Sequence, residues 1–303
     1  MSTIDFRDLT KNDKPLLDKF YRSGYHENSH FNFTNLYMWR KPFQIRLAVE
    51  DDVLFLTCRE EKDVLVALQP IGAKERMKDA VTRFMEHFRE EGQLLRFSGI
   101  ERSFAELLQD YEGAEFDIRS NRDDFDYVYS SESLIKLAGR KYHSKKNHLN
   151  AFRKMYPQAE YLPITEDIIT LCKLELNGWY KMRSKEEPDD PFIGYEREAI
   201  VEVLNNFQDF GIKGGAIRLD NRIVAFTFGE QLNEDTAVIH VEKADPEIRG
   251  AYPAINQGFV EHEWSHMTYI NREEDMGLEG LRKAKESYKP VKMIEKFRAE
   301  IRQ

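Results

Sequence analysis

Tyr269-Ile-Asn-Arg-Glu-Glu-Asp-Met-Gly-Leu-Glu-Gly-Leu-Arg-Lys-Ala-Lys-Glu-Ser-Tyr-Lys-Pro-Val-Lys-Met-Ile-Glu-Lys-Phe297 is where this chain stops looking ordinary. Met267 to Ile270 predicts a short strand, which runs into the polar cluster Asn271, Glu273, Glu274 and Asp275. Gly277 then opens a helix with Leu278 and Leu281 on its apolar side. Pro290 stops that helix just past Tyr288, because proline lacks the amide hydrogen a continuing helix needs. Val291 to Ile301 alternates well enough to be a last strand. A strand, polar turn, helix and strand in this order aim several charged groups at the strand's carboxyl end. Gly277 and Gly280 are placed for a close backbone approach there. The plainer reading is a solvated charged loop.

Working outward, the residues before this stretch read as the strand Ala237 to Val241, a turn, and a helix from Pro253 to His266. The turn, Asp245 to Tyr252, lies after a strand and before a helix, where free backbone N–H groups favour an anion. Gly250 is its only glycine, so an ordinary strand-to-helix turn competes with a phosphate loop. Gly215 to Leu219 and Arg222 to Phe228 flank Asp220-Asn221, a hairpin signal. Helices are expected at Glu166 to Lys181 and Tyr195 to Phe210, and between them Ser184 to Asp190, with its acids and the two prolines Pro188 and Pro191, as a loop.

The N-terminal half carries the same order. A strand is expected at Ile4 to Leu9, then helices at Asp13 to Tyr21 and Asn32 to Arg40. Ile45 to Val49 and Val53 to Cys58 form a hairpin about Glu50-Asp51-Asp52. Val64 to Leu68 continues the sheet, and Lys74 to Glu91 is a helix with Met77, Val81, Phe84 and Phe88 on one side. Leu94 to Phe97, a helix near Glu101 to Gln109, and strands at Phe116 to Arg119 and Phe125 to Tyr129 complete the half. Hairpin, strand, helix, strand, helix, strand twice over indicates a structural duplication. Antiparallel hairpins with interleaved helices indicate α+β domains, 1–130 and 131–303, joined through Ser130 to Pro157.

Composition narrows the class. With 41% hydrophobic and 33% charged residues over 303 positions, the chain has the make-up of a soluble globular protein. No run approaches the roughly 18 apolar residues of a membrane span, and Met-Ser-Thr-Ile-Asp-Phe-Arg-Asp does not read as a signal peptide. Cys58 and Cys172 lie in apolar surroundings, which excludes a disulfide framework and a cysteine-based metal site. A cytoplasmic protein is expected. The net charge of −9 argues against nonspecific nucleic-acid binding over the whole surface. Against that background, Arg140 to Lys154 carries six positive charges and no acid. That asymmetry suits a phosphate-bearing partner. A solvated helix face paired with acids elsewhere is the alternative, and Leu149, Phe152 and Met155 at helical spacing are expected in the core.

His262-Glu263-Trp264-Ser265-His266 matches H-E-x-x-H, the zinc-hydrolase pattern. His266 stands at the expected helix end. Tyr252, Ile255, Phe259, His262 and His266 also form one stripe, so both histidines are expected to be partly buried and no metal is expected. No G-x-S-x-G, Walker A, G-x-G-x-x-G or Cys-x-x-Cys pattern is present.

The hairpin Gly215 to Gly229, the strand Val238 to Glu242, Arg249-Gly250 and the closing helix, Tyr288 and strand resemble the GCN5-related N-acetyltransferase (GNAT) fold. More narrowly, several segments are similar to an uncharacterised bacterial family related to the C-terminal domain of phosphatidylglycerol lysyltransferase. They are Gly139-Arg140-Lys141-Tyr142 with Lys145-Lys146-Asn147, Glu242 to Asp245, Asn256, Asn271 to Asp275, and Gly280 to Pro290. The resemblance covers nearly the whole chain and is most specific at Arg140 to Asn147 and Asn271 to Pro290. It implies tandem GNAT-like domains, each a mostly antiparallel mixed sheet flanked by helices, as in the Fem peptidoglycan-bridge transferases. Those relatives take an aminoacyl group from tRNA rather than an acyl group from coenzyme A.

The implied activity is acyl transfer in the C-terminal domain, between two splayed strands, Ala237 to Val241 and Met267 to Ile270. Acyl-CoA or aminoacyl-tRNA would be the co-substrate, with no tightly bound cofactor. The acceptor would be an amine or hydroxyl on a small molecule, lipid or peptide. Tyr288 matches the family's acid tyrosine, and a phenol of pKa about 10 suits protonation of a leaving group. Glu242 and Glu274 are the candidate bases. Arg249, Gly250, Ala251, Asn256, Arg282 and Lys285 are expected on the co-substrate side. Arg140, Lys141, Lys145, Lys146, Asn147, Asn271 and Asp275 are expected on the substrate side. Bulky Tyr252 departs from the small residues usual in a coenzyme A loop. The multi-span membrane domain of the lipid lysyltransferases is not expected here, so a lipid acceptor would imply peripheral membrane contact. The non-enzymatic alternative is a tandem domain that binds a phosphorylated ligand or nucleic acid through the basic segment.

Overall fold

The computed structural model describes residues 3–60, 63–186 and 192–302. Two compact units divide the chain, one of Met1–Phe125 with Ile294–Gln303 and one of Asp126–Met293.

The first unit begins with β1 (Arg7–Asp8), α1 (Lys14–Tyr21) and α2 (Phe33–Trp39). There follow β2 (Arg46–Glu50), β3 (Val53–Glu60), β4 (Val64–Leu68), α3 (Met77–Glu90), β5 (Arg96–Ile100), α4 (Arg102–Gln109) and β6 (Phe116–Ser120). Asp51 and Asp52 both take positive φ, which gives the β2–β3 turn the handedness a tight hairpin requires. Phe84 on α3 is fully buried, with its ring 5.1 Å from that of Phe55 and 5.6 Å from that of Phe97. Burial of one such side chain stabilises the fold by about 1.5–3 kcal/mol. The expected strand Ile4 to Leu9 shrinks to Arg7–Asp8, with Ile4, Phe6 and Leu9 buried on either side of it.

The second unit starts with β7 (Asp126–Ser130), α5 (Ser131–Lys136), α6 (His143–Met155), β8 (Glu160–Pro163), α7 (Glu166–Glu186), α8 (Phe192–Asn205) and α9 (Phe207–Phe210). Its sheet and site come from β9 (Lys213–Leu219), β10 (Arg222–Gln231), β11 (Thr236–Ala244), α10 (Ala251–Glu263), β12 (Tyr269–Asn271), α11 (Glu279–Glu286) and β13 (Lys292–Ile294). The chain ends in β14 (Phe297–Ile301). Helix α7 takes in the start of the expected loop, and residues 187–191 of that loop lie outside the described residues.

Each unit holds a seven-stranded sheet, in the orders β1-β2-β3-β4-β5-β14-β6 and β13-β7-β12-β11-β10-β9-β8. β4–β5 and β11–β12 pair in parallel, each pair joined by one crossover helix, α3 and α10. In contrast, β1–β2, β2–β3, β3–β4, β5–β14, β14–β6, β7–β12, β11–β10, β10–β9 and β9–β8 pair antiparallel. Hairpin, strand, helix, parallel strand, helix, strand therefore occurs in both units. The fold is α+β with two mixed, mostly antiparallel sheets.

The expected single division at residue 130 is replaced by a reciprocal one. β7 follows β6 in the chain yet pairs with β12 in the second sheet, while β14 pairs with β5 and β6 in the first. The expected last strand, Val291 to Ile301, is accordingly two strands in two sheets, broken between Ile294 and Phe297.

Candidate functional site

The parallel pair β11–β12 is in register only at Thr236↔Tyr269, Ala237↔Ile270 and Val238↔Asn271. β12 ends there, whereas β11 runs on to Ala244, so the strands part beyond Val238. A bulge coincides with the parting. Gly229 faces Ile239 and Phe228 faces Val241, which leaves His240 as the extra residue. The strands are so close here that a Cβ on Gly229 would collide with the Val238 carbonyl oxygen. A bulge re-aims the strand that carries it. His240 anchors this one, with Nδ1 2.9 Å from Glu273 Oε1 and Nε2 3.2 Å from Glu230 Oε1. Burial works against the charged ring, but hydrogen bonds and charge from the two carboxylates lift its pKa to about 9.

Side chains converge where the strands part. Glu242 accepts from Arg272 Nη2 (2.9 Å) through Oε1 and from Asn256 Nδ2 (2.8 Å) through Oε2. The Arg272 guanidinium lies 4.9 Å from the Tyr288 ring centre and 5.6 Å from that of Tyr129, and these rings meet edge to face. Lys145 of α6 stands over Tyr288, Nζ 4.5 Å from the ring centre. Burial and then the Arg272 charge push the Lys145 pKa down. Burial, opposed by Arg272 and assisted by Glu242, holds the Tyr288 phenol well above its ordinary range. Two buried atoms in this cluster, Asn256 Oδ1 and Arg272 Nη1, have no hydrogen-bond partner.

A second group of the expected residues builds the turn after β12. Asp275 is buried and accepts from Arg282 Nε and Nη2 (both 2.8 Å), Tyr127 Oη (2.5 Å) and the Gly277 amide (2.9 Å). Despite burial, these donors hold its carboxyl far below the usual range. Asn271 donates to Asp126 Oδ2 (3.0 Å) and accepts from the Glu273 amide. Lys285 is buried, and its ammonium donates to the carbonyls of Arg272 (2.5 Å), Glu273 (3.0 Å) and Glu274 (2.5 Å). Burial pushes its pKa down to about 8. Asn271, Asp275, Arg282 and Lys285 thus hold the turn from within and present Arg272 to the cluster.

The face that α11 buries differs from the one expected. Leu278 is exposed and Leu281 half-buried, while Lys285 points inward, where its three N–H donors meet three carbonyls. Gly280 has open space around it rather than a close neighbour.

The turn between β11 and α10 brings Gly250 against α6. With φ at +87°, a Cβ there would fall 2.8 Å from the His148 carbonyl oxygen and 2.9 Å from Phe152 Cβ. The Ala251 amide already donates to Ile248, and Pro253 has none to offer. Arg249 is exposed. Arg140, Lys141, Lys146 and Asn147 are exposed at the start of α6 and just before it. Met155 is exposed too, unlike the buried Leu149 and Phe152. His262 and His266 are exposed, contrary to the partly buried placement expected. His262 stacks on Tyr161 at 4.2 Å and pairs with the Gly258 carbonyl, and α10 ends before His266, so the two imidazoles do not share a helical face.

Arg272 and Tyr129 are the members of the cluster that sequence reasoning missed. Arg272 lay in plain view between Asn271 and Glu273, where the acids around it drew the reading. Tyr129 looked like one more strand aromatic.

Residues 22–300 match the family model for the phosphatidylglycerol lysyltransferase C-terminal domain. The chain belongs to that family. A conserved protein of unknown function from Bacteroides thetaiotaomicron is 35% identical, with a TM-score of 0.91 over 99% of this chain and 100% of its own. The L-PGS structure from Bacillus licheniformis shares the fold at 15% identity and a TM-score of 0.64, over 95% and 91% of the two chains. A tandem GNAT protein from the clavulanic acid biosynthesis pathway matches at 10% identity and a TM-score of 0.50, over 98% of each chain. An uncharacterised protein of Mycoplasmoides gallisepticum is 24% identical over 58% of this chain, and the match spans 56% of that relative's length. This member of the phosphatidylglycerol lysyltransferase C-terminal family therefore has a tandem GNAT-like fold. Among its described residues no helix is long and apolar enough to cross a membrane.

Proposed function

We propose that the second unit transfers an aminoacyl group from aminoacyl-tRNA to an amine or hydroxyl acceptor, with the reaction between the parted strands β11 and β12. The observation that carries this reading is the cluster at the parting. It sets a protonated phenol, a guanidinium with a spare N–H and a half-buried ammonium around one point. Acyl transfer calls for those groups, since the carbonyl oxygen gains negative charge and the leaving oxygen needs a proton.

In this reading the acceptor's N or O attacks the ester carbonyl, and Arg272 Nη1 steadies the oxyanion. The C–O bond to the ribose then breaks as Tyr288 gives its proton to the departing oxygen. The proton released by the acceptor restores the phenol. Lys145 supplies positive charge beside Tyr288. Glu242 already accepts a bond at each oxygen, which favours an orienting part for it over a base. Glu274 contributes its carbonyl to Lys285.

Transfer from tRNA is favoured over transfer from coenzyme A by the start of α10. Packing of α6 on Gly250, the spent Ala251 amide and Pro253 leave poor provision for a pyrophosphate. The exposed cations Arg140, Lys141 and Lys146 suit an RNA backbone. The family's name carries a lysyl donor and a phosphatidylglycerol acceptor, so these are the first pair to try. The test is incubation with tRNA carrying radiolabelled lysine and phosphatidylglycerol vesicles, and in parallel with acetyl-CoA. Label moving to lipid or to another acceptor, faster than with Tyr288→Phe, supports the reading, and label that stays on tRNA while acetyl-CoA is consumed overturns it. The engaged Glu242 also favours a second reading, in which the site binds such a donor without turnover. Tight tRNA binding with no transfer to any acceptor would select that one.

A further inference from the structure

We propose that Asn256 and Arg272, both oriented by Glu242, form a subsite for the α-amino group and carbonyl of the donor. The site would then admit aminoacyl groups with a free amine and reject N-acylated ones. This rests on the transferase reading above and deepens it.

Asn256 is 1% exposed. Its amide could be built either way round, but a carboxylate only accepts, so the NH2 group must face Glu242 Oε2 at 2.8 Å. Oδ1 is thereby turned away from Glu242, and it is buried without a partner. The same logic applies to Arg272. Glu242 Oε1 takes Nη2 at 2.9 Å, the Tyr129 and Tyr288 rings flank the guanidinium, and Nη1 is left buried with no acceptor. One carboxylate thus presents an unused acceptor and an unused donor, each held in place by a bond on its other side.

Buried polar atoms left unmatched cost free energy, so such a pair selects a ligand that completes both. The complement carries a donor and an acceptor a few bonds apart. An aminoacyl ester does so, because its amine and carbonyl sit on adjacent carbons, and the amine donates whether or not it is protonated. An acetyl group has the carbonyl and lacks the donor. A phosphate offers only acceptors and would set its oxygens against Asn256 Oδ1. N-acylation keeps one N–H but adds bulk and an apolar methyl beside the unmatched Asn256 Oδ1.

The experiment is calorimetric titration of the full chain with 3′-deoxy-3′-(L-alanylamino)adenosine and with its N-acetyl derivative, alanine being chosen so that no long side chain decides the outcome. The wild-type protein is expected to bind the free amine at least about tenfold tighter, one bond's worth of selectivity. Asn256→Leu should bring the ratio within about twofold. Should that variant fold poorly, the wild-type ratio alone still decides. Equal affinity for the two probes, with transfer from aminoacyl-tRNA intact, overturns the subsite and leaves the transferase reading standing. Binding of neither probe at millimolar concentration also overturns it, the two atoms then serving only a bound water. If transfer is absent as well, both readings fall.

Discussion

Raising the pH through 9 takes the proton from His240, and the structure sets how much stability leaves with it. The ring is buried with both nitrogens on carboxylates, 2.9 Å from Glu273 and 3.2 Å from Glu230. Burial disfavours the imidazolium, but the two partners outweigh it and raise the pKa from 6.5 to about 9. The folded protein therefore keeps a proton that the unfolded chain releases. The contribution is fully present below about pH 6.5 and is lost as the pH rises through about 9. A shift of that size is worth roughly 3 kcal/mol. Lys285 works in the opposite sense. Burial lowers its pKa from 10.5 to about 8, so its contribution is present above pH 10.5 and is lost as the pH falls towards 8. The comparison must therefore be wild type against His240→Gln at each pH. Urea denaturation at pH 6 should find the variant less stable by about 3 kcal/mol, with the gap closing by pH 9.5. Because His240 anchors the bulge where β11 leaves β12, transfer should fall with it. A gap that is the same at pH 6, 7.5 and 9.5 would refute the reasoning, since the ring would then not carry charge between its carboxylates.

Tyr288→Phe keeps the ring that meets Tyr129 edge to face and removes only the hydroxyl, so turnover should fall roughly 10²-fold with little change in melting temperature. Activity that falls only in step with stability would make the tyrosine structural. Lys285→Met leaves three turn carbonyls without their donor and should cost about 3 kcal/mol or more, read as a lower urea midpoint. Gly250→Ala places a methyl 2.8 Å from a backbone oxygen at a left-handed φ, and thermal unfolding should show a loss of about 1–3 kcal/mol. Arg140→Glu with Lys146→Glu should weaken tRNA binding and flatten its salt dependence by about one to two counterions while the fold stays intact; unchanged affinity would make both ordinary surface residues.

Much of this molecule is legible one residue at a time. Hairpins about Asp51-Asp52 and Asp220-Asn221, the helix that carries Phe84 and Phe88, and the repeated element order are local signals. Turn chemistry and apolar period act over a few residues. The polar stretch after Ile270 and its closing Tyr288 also stand out in the sequence, and both contribute to the candidate site. What the local signals could not carry is partnership over distance. Nothing near β7 or β14 says which sheet each will join, because strand pairing is decided by the edge it meets. Lys285 reads as one more surface lysine until three carbonyls from the preceding turn close on it. Glu242 reads as a lone carboxylate until Arg272, 30 positions on, and Asn256, 14 positions on, bond its two oxygens. His262 and His266 belong to an apolar stripe by spacing, yet His262, still on α10, is exposed beside the Tyr161 ring, and α10 ends at Glu263 before it reaches His266. Side-chain type and period settle the elements, whereas the charge state and the task of a polar group are settled by the neighbours that tertiary packing brings to it.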